Sequence, residues 1–242
     1  MKQLALPISL NESATLDNFI AGRNGQLIHF LRRFLEQRDE LQAYLWAHGA
    51  RGKSHLLQAM CQLAAARKRQ ASYLPMRELA RLDAAMLDGL ETLQLLAIDD
   101  LQVVANDPVW AEAIFHLINR CRNGHCRLLL AATESPQSIQ VALPDLASRL
   151  VWGPVFHLDP LADDELLAFV FNLARQRGLN LSAEVAHYLV KHLPRDIRYL
   201  ETLIRLLDEE TMASKRRVTL PLVKLVMQEH RSLLEAGTSD VS

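Results

Sequence analysis

The stretch WAHGARGKS, residues 46–54, joins an apolar run to a segment with helical periodicity. Phosphate groups bind to backbone N–H donors at the positive end of a helix, and Gly49 and Gly52 allow the backbone to approach closely enough. In such a loop Lys53 reaches the terminal phosphates, and the hydroxyl of Ser54 holds Mg²⁺. A chance turn of similar composition is the alternative. The position between a strand and a helix favours a phosphate-binding loop.

Two carboxylates follow the next buried run of the chain. Residues 93–98, LQLLAI, are typical of a strand that is covered on both faces, and Asp99 and Asp100 come directly after it. A carboxylate at the carboxyl end of a strand beside a phosphate loop can hold the Mg²⁺ shell, which assigns Asp99 to the metal. Asp100 is then placed to polarise an attacking water. Taken alone, such a pair is more often a turn or a helix cap, and its place downstream of the phosphate loop favours the metal-binding role.

Strand and helix patterns alternate through the first part of the chain. Apolar periodicity predicts one helix from Asn24, with Asn24 as its cap, another from Lys53 to about Lys68, and a third from Asp107. Strands that alternate with helices of this length predict βαβ units and a parallel sheet. The predicted strands span residues 41–46, 72–75, 93–98, 127–132 and 154–158.

The pattern changes after Pro160, where no further strand pattern follows. Acids at 163–165 favour the first turn of a helix, Ser182 is a cap for a second, and Thr219 is a cap for the last of four predicted helices. The chain is therefore expected to form an extended tail over residues 1–12, an α/β domain over 13–160, a helical domain over 161–235 and a flexible end over 236–242.

Composition narrows the class of protein. The 242 residues are 50% hydrophobic and 23% charged, with a net charge of −1, as in an ordinary globular protein. This balance argues against a protein held to nucleic acid mainly by overall positive charge. No apolar run approaches the ~20 residues of a membrane helix, and the N-terminus lacks the features of a signal peptide. Cys61, Cys121 and Cys126 form no CxxC pair and predict reduced thiols in a cytoplasmic protein.

Four segments together carry a family resemblance. ATLDNFIAG (14–22), GKSHLL (52–57), LLAIDDLQ (95–102) and LASRLVWG (146–153) resemble, in order and spacing, the AAA+ domain of the DnaA initiator family. The similarity runs over nearly the whole chain, from about Thr15 to Val226. It implies an α/β AAA+ P-loop NTPase domain, with a parallel sheet flanked by helices, followed by a small all-α lid. It also implies that the chain binds an adenine nucleotide, ADP or ATP, together with Mg²⁺.

The resemblance assigns roles to individual residues. Arg149 matches the arginine finger that reaches the nucleotide of a neighbouring subunit, whereas a lone arginine on a short helix is usually a solvated charge. Arg198 matches sensor 2 on the lid, and its alternative is an exposed pair with Glu201. The implied nucleotide-binding set is Asn18, Phe19, Ile20, Gly49, Ala50, Arg51, Gly52, Lys53, Ser54, His55 and Arg198. Within the base segment, Phe19 is also typical of plain core.

The N-terminus resembles a peptide that docks on the replicative sliding clamp. Extended apolar residues at alternate positions can enter a preformed groove, a glutamine supplies a directional hydrogen bond, and a proline limits the entropy of the free peptide. An unstructured leader with incidental leucines is the alternative. The implied clamp-binding residues are Gln3, Leu4, Leu6, Pro7 and Ile8.

The resemblance is closest to a regulatory branch of the family. The sequence stops before the C-terminal helix-turn-helix domain that the initiator carries, so we expect contact with DNA only indirectly. This implies a negative regulator of replication initiation whose partners are the DnaA initiator and the DNA polymerase III β sliding clamp, and which can form homo-oligomers. Arg149 is its trans-acting catalytic group, and Asp100 the catalytic group of any hydrolysis of its own.

Three positions differ from the patterns expected of an active ATPase. Ala47 replaces the first glycine of the loop, and Thr133 stands at sensor 1 where DnaA relatives usually carry an acidic or amide side chain. Asp100 is one methylene shorter than the glutamate of most AAA+ ATPases, although DnaA relatives share the Asp-Asp pair. The combination predicts tight nucleotide binding and slow hydrolysis by the chain alone.

Two other functions fit the same motifs. One is a free-standing AAA+ ATPase, acting as a helicase-loader-like or initiator-like factor, which requires turnover that is lost in Lys53→Ala or Asp99→Asn. The other is a sequence-specific DNA binder, which requires a salt-sensitive complex with origin DNA in the absence of DnaA.

Overall fold

The computed structural model describes residues 14–36, 40–214 and 217–236, and the expected tail over residues 1–12 lies outside them. The backbone divides into two compact units. The first contains the described residues up to Ala47 together with Gly52–Leu158, and the second contains His48–Arg51 and the described residues from Asp159 onward. Among these residues, no helix has the length and apolar character needed to cross a membrane.

A five-stranded parallel sheet forms the centre of the first unit. Its strands are β1 (Gln42–Trp46), β2 (Ala71–Pro75), β3 (Leu95–Asp99), β4 (Arg127–Ala132) and β5 (Val155–His157). The order across the sheet is β2-β3-β4-β1-β5, and every pairing is parallel. The register places Trp46 opposite Ala132 and Asp99 opposite Pro75. The α/β prediction with a parallel sheet is therefore confirmed.

Helices cover both faces of this sheet. They are α1 (Gly25–Phe34), α2 (Lys53–Ala66), α3 (Met76–Leu79), α4 (Pro108–Gly124) and α5 (Pro144–Leu150). Side chains alternate along β1, so that Tyr44 joins the core cluster that includes α4 while Ala43 and Leu45 join the cluster that includes α1 and α2. The three central strands, β1, β3 and β4, are buried on both faces, as their continuous apolar runs indicate.

Some predicted boundaries were wrong by a few residues. β3 begins at Leu95 rather than residue 93, because a 3₁₀ turn precedes it and the Leu93 amide donates to the Leu90 carbonyl. α2 ends at Ala66 rather than Lys68, which has a left-handed φ of 57°. The side chain of Asn24 makes no capping bond to α1. By contrast, α4 begins directly after Asp107, close to the predicted start, and Asp107 caps it by accepting hydrogen bonds from the Val109 and Trp110 amides at 2.9 and 3.1 Å.

The second unit is helical in the described residues that follow Asp159. It contains α6 (Asp163–Gln176), α7 (Ala183–His192), α8 (Ile197–Ser214), α9 (Leu220–Glu229) and the short α10 (Arg231–Ala236), which the sequence pattern did not predict. The Ser182 hydroxyl accepts from the Val185 amide, and the Thr219 hydroxyl from the Leu222 amide, so both predicted caps form. Their apolar faces share one core that includes Val170, Leu189, Leu203 and Val223.

The three cysteines are free and buried, in agreement with the prediction of reduced thiols. Burial raises the pKa of the Cys61 thiol to about 12. The thiol of Cys121 hydrogen-bonds to that of Cys126, and this bond together with burial raises the Cys121 pKa as well.

Candidate functional site

The loop between β1 and α2 uses two glycines in left-handed conformations. Gly49 has a φ of 66° and Gly52 a φ of 92°. A Cβ atom at Gly52 would lie 2.6 Å from Cε2 of Phe19, so this position is closed to larger residues by both its backbone and its neighbour. The loop therefore brings its backbone against the segment that was predicted to line the base.

Lys53, the first residue of α2, is only 7% exposed. Its Nζ donates to the carbonyl of Ala47 at 2.5 Å, which places the ammonium over the start of the loop. A buried cation at a helix N-terminus is an arrangement that favours an anionic ligand.

The segment that precedes α1 is tied to α2 through His55. Its ring Nε2 lies 2.9 Å from the carbonyl of Thr15, and its ring centroid lies 5.8 Å from that of Phe19. The Asn18 amide donates to the Thr15 hydroxyl at 3.2 Å. Burial lowers the pKa of His55, so the neutral ring, with the proton on Nε2, is the favoured form. Ile20, the last residue of the predicted base segment, is half-buried.

Asp99 ends β3 and is 1% exposed. Its Oδ2 accepts from the Tyr73 hydroxyl at 2.7 Å and its Oδ1 from the Asp100 amide at 2.9 Å. Burial and the charge of Asp100 raise the pKa of Asp99, while hydrogen bonds from the Ser54 hydroxyl, Tyr73 and the Asp100 amide oppose that rise. The structure thus brings the two predicted Mg²⁺-binding residues, Ser54 and Asp99, into direct contact.

Asp100 adopts a left-handed conformation with a φ of 53°, which is uncommon for a residue other than glycine. Its Oδ2 accepts from Nε of Arg77 at 2.8 Å and its Oδ1 from Nε2 of Gln102 at 3.0 Å. The Gln102 Oε1 in turn accepts from the Thr133 amide at 3.1 Å. Both carboxylate oxygens of the residue predicted to polarise water are therefore held by protein groups.

Sequence analysis missed Tyr73, Arg77 and Gln102. Tyr73 and Arg77 come from β2 and the residues after it, and they reach the two aspartates because β2 pairs with β3 in the sheet. Only the strand order brings them there, and no local pattern reveals it. Gln102 does lie within the motif LLAIDDLQ, where a polar side chain after two acids was the available signal.

Arg149 lies on α5 and is held within its own unit. Its Nε donates to Oδ1 of Asn119 at 3.2 Å and its Nη1 to the Ser148 hydroxyl at 3.1 Å. Its guanidinium carbon lies 4.2 Å from the ring centroid of Trp152 and 5.1 Å from that of Phe115. The side chain is thus a stacked, half-buried cation rather than the freely solvated charge that was the alternative.

The backbone of Arg149 is held at the amino end of β1, whereas the phosphate loop follows the carboxyl end of that strand. Its carbonyl accepts from Nε2 of Gln42, the first residue of β1, at 2.7 Å. A Cβ atom at Gly153 would lie 1.9 Å from the Gln42 carbonyl oxygen, so the chain after α5 presses directly on the start of that strand. The loop follows the other end of β1, about 13 Å along the strand.

Two predicted nucleotide contacts belong to the second unit. Nη1 of Arg51 donates to the carbonyl of Arg195 at 3.1 Å. Arg198 lies in the first turn of α8, where its charge and that of Arg177 act to lower the pKa of Glu201. Ala50 is half-buried beside Gly49. The residues predicted to bind the clamp, Gln3, Leu4, Leu6, Pro7 and Ile8, lie outside the described residues. The roles of all these residues stay predictions.

The residues that are present fit a Mg²⁺-bound nucleoside phosphate. The left-handed Gly52 opens α2, the buried ammonium of Lys53 lies beside it, and the Ser54 hydroxyl meets the Asp99 carboxylate. Amides and an ammonium suit phosphate oxygens, and a hydroxyl with a carboxylate suits a hard divalent cation.

Comparison with known proteins identifies the family. Residues 10–157 match the model of the bacterial DnaA ATPase domain, and residues 163–227 match that of the Hda lid domain. The chain therefore belongs to the bacterial DnaA ATPase-domain family and is Hda-like in its lid.

Solved structures share the fold at low sequence identity. Domain III of the DnaA protein from Thermotoga maritima aligns with a TM-score of 0.80 and 18% identity over 92% of this chain and 98% of that one. AMPPCP-bound DnaA from Aquifex aeolicus aligns at 0.71 and 23% identity, over 84% of this chain and 67% of that one. The RuvB Holliday junction branch migration motor of Thermotoga maritima aligns at 0.67 and 18% identity, over 89% and 71% of the two chains.

Proposed function

We propose that this member of the bacterial DnaA ATPase-domain family, with its Hda lid domain, is a negative regulator of replication initiation that acts on DnaA in the cytoplasm. In this proposal the chain binds an adenine nucleotide at residues 49–55 and presents Arg149 to the ATP that DnaA holds. Residues 3–8 tether it to the DNA polymerase III β sliding clamp. DnaA is converted from its ATP form to its ADP form, which prevents a second initiation.

The position of Arg149 is the observation that supports this function most strongly. Its carbonyl is bonded to Gln42 at the amino end of β1, whereas Lys53 and Ala47 meet at the carboxyl end. An arginine on that edge is too far from its own phosphate loop to contact the nucleotide there. It suits a phosphate that another subunit brings to this edge of the sheet.

The surroundings of Arg149 also suit a group that acts on a neighbour. Stacking on Trp152 and the hydrogen bond to Asn119 fix the plane of the guanidinium. Among the described residues no protein acceptor lies on Nη2, so its hydrogens are available to a γ-phosphoryl group. An arginine supplied in trans neutralises charge that develops on that group, and such fingers are worth about 10³–10⁵ in rate.

The chain's own nucleotide has a structural role in this proposal. Gly52, Lys53 and Ser54 hold its phosphates, Asp99 completes the Mg²⁺ site, and the segment around Phe19 lines the base. The bound metal supplies positive charge that neutralises the phosphates. Because a ligand that binds only the folded state stabilises it, the nucleotide holds the α/β unit in one shape.

The decisive experiment measures turnover of DnaA-bound ATP in the presence of sliding clamp loaded on DNA. We expect the unmodified chain to stimulate turnover and Arg149→Ala to lose most of that stimulation, within the range of about 10³–10⁵ given above. Arg149→Lys keeps the charge but not the planar fork, and we expect only weak recovery. Equal turnover with Arg149→Ala contradicts the finger role.

The tether is tested separately by pull-down with the sliding clamp. The intact chain is expected to be retained, and a chain without residues 1–9 is not. A tether raises the effective concentration of the finger near DnaA on DNA, so the shortened chain should need a much higher concentration for the same stimulation. Retention of the shortened chain contradicts this part of the proposal.

A further inference from the structure

A carboxamide bridge joins the ends of two neighbouring strands beside the phosphate loop. Gln102 donates through Nε2 to Oδ1 of Asp100 at 3.0 Å and accepts at Oε1 from the Thr133 amide at 3.1 Å. The chemistry fixes the orientation of this amide. If it were flipped, its oxygen would face a carboxylate and its NH₂ group would face an N–H donor.

Arg77 completes the enclosure of Asp100 from the other side. Its Nε donates to Oδ2 at 2.8 Å, and the Asp100 side chain is only 10% exposed. The left-handed backbone of Asp100 aims the carboxylate between these two donors. Because each oxygen already accepts a bond from a side chain and only 10% of the Asp100 side chain is exposed, little of this carboxylate is open to a water molecule.

We infer that Gln102 is a positioning residue which, together with Arg77, holds Asp100 away from the attacking water and so keeps hydrolysis by this chain slow. Because the same amide bonds to the Thr133 backbone, release of Asp100 is coupled to movement at the end of β4. This inference rests on the proposed nucleotide binding and goes beyond it, since it assigns the predicted slow turnover to two named contacts.

The step that these contacts restrain is attack of water on the γ-phosphorus of ATP. The water oxygen forms a bond to phosphorus, and the bond to the β,γ-bridging oxygen breaks with its electron pair leaving on ADP. The water protons end on the released inorganic phosphate and solvent. A carboxylate free to accept a hydrogen bond from the water orients it in line with the leaving oxygen.

The test compares Gln102→Met with the unmodified chain, using ATP and Mg²⁺ as the probe. Methionine keeps the length of the side chain but makes neither hydrogen bond. We expect turnover at saturating ATP to rise about tenfold. A 1 Å misplacement of a catalytic group can change the rate by roughly 10²-fold, and release of Asp100 should recover only part of that factor. The Kd for ATP should stay within about twofold. Gln137→Met, at an exposed position, is the matched control and should change neither quantity.

Asp100→Asn in the Gln102→Met background shows whether the gain passes through the carboxylate. We expect the double variant to turn over ATP no faster than the unmodified chain. Unchanged or reduced turnover in Gln102→Met, or a gain that survives Asp100→Asn, overturns the inference. If the unmodified chain binds no ATP at all, the proposed function itself fails, and the next measurement still decides the contacts.

That measurement uses nucleotide-free chain. Arg77→Met leaves the enclosed Asp100 carboxylate without its guanidinium, so the midpoint of thermal unfolding should fall by several degrees. Arg77→Met with Asp100→Asn should recover most of the loss, because the uncompensated charge is gone. Additive effects of the two substitutions show that Arg77 does not hold Asp100 and overturn the inference independently of activity.

Discussion

We call the end of the sheet where the strands begin the amino edge, and the end where they finish the carboxyl edge. The two edges hold their functional groups in different ways. At the carboxyl edge, Lys53 and Asp99 are almost fully buried, and their charged atoms bond to backbone groups or to short polar side chains. At the amino edge, the guanidinium of Arg149 rests on the rings of Trp152 and Phe115, with a single amide oxygen at its Nε.

The difference fits two different roles: Lys53 and Asp99 belong to a site that binds a ligand, whereas Arg149 is suited to contact a ligand that is bound to another molecule. Backbone bonds and burial fix the positions of atoms within a narrow range, which suits the binding of a ligand with defined geometry. A stacked arginine keeps its plane while its outer N–H groups stay available, which suits contact with a second molecule. One strand, β1, connects the two edges.

Gly153→Ala tests the close backbone contact at the amino edge, and among the substitutions that test the two edges it is expected to have the largest effect. The new Cβ would lie 1.9 Å from the Gln42 carbonyl, so the backbone after α5 must move. We expect a loss of about 3 kcal/mol in the free energy of unfolding, the upper range for overpacking, measured by urea denaturation. Gly25→Ala is the control, since no atom lies within 4 Å of its added Cβ. A Gly153→Ala chain as stable as Gly25→Ala contradicts the close approach.

Lys53→Met is expected to disrupt ligand binding at the carboxyl edge without affecting the amino edge. Removal of the buried ammonium should weaken ATP binding by roughly 10²-fold, because hydrogen bonds to charged groups are worth about 1.5–3 kcal/mol each. Isothermal calorimetry measures the change. Arg149→Met is the matched control and should leave ATP affinity unchanged. An equal loss in both variants shows that the two edges are not separate sites.

How far the sequence could predict the structure of these two edges depends on how far apart in the chain the contacting residues lie. Local chemistry was sufficient for the caps Ser182 and Thr219, because each cap depends on residues within a few positions. The parallel sheet was predicted from the alternation of strand and helix patterns along the chain, not from any contact between strands. The Gln42–Gly153 approach joins residues that are far apart in the chain. It follows from the pairing of β1 with β5, which no local pattern specifies.

The same reasoning applies to the surroundings of the two aspartates, whose functional roles stay predictions. Asp99 and Ser54 were assigned to one metal site, and their contact is present. The enclosure of Asp100 by Arg77 was not foreseen, since Arg77 becomes a neighbour only after β2 is placed beside β3. The start of β3 and the end of α2 were misplaced because 3₁₀ and left-handed residues interrupt otherwise regular apolar patterns.

Trp152→Leu tests whether stacking on the Trp152 ring prepares Arg149 for its role. Leucine keeps apolar volume but removes the ring face, and a partly desolvated cation–π contact is worth about 0.5–2 kcal/mol. We expect stimulation of DnaA turnover to fall roughly fivefold while ATP affinity of the chain is unchanged. Leu82→Ala, at an exposed apolar position, is the control. Full stimulation by Trp152→Leu shows that stacking does not prepare the arginine.

His55→Gln carries the smallest effect and tests the carboxyl edge through pH. The pKa of His55 is lowered in the folded chain, so the unfolded chain binds the proton more readily. Stability should therefore fall as pH drops below the unfolded value near 6.5 toward the lower folded one. Between pH 7.5 and 5.5 the Tm of the unmodified chain should fall by about 1–2 °C more than that of His55→Gln.

The control for this measurement is His187→Gln, which replaces an exposed histidine of the second unit. We expect it to retain the acid sensitivity of the unmodified chain. If His55→Gln and His187→Gln respond to acid in the same way, the ring between Thr15 and Phe19 does not prefer its neutral form.

The burial of all three thiols has a practical consequence for work on either edge. Maleimide dyes react with accessible thiolates, and a thiol whose pKa is about 12, such as that of Cys61, supplies almost none at neutral pH. A single cysteine introduced at exposed Gln140, in the segment before α5, can therefore carry a fluorophore while Cys61, Cys121 and Cys126 stay in place. Distances from that dye to a labelled DnaA subunit would then follow docking in solution as it happens.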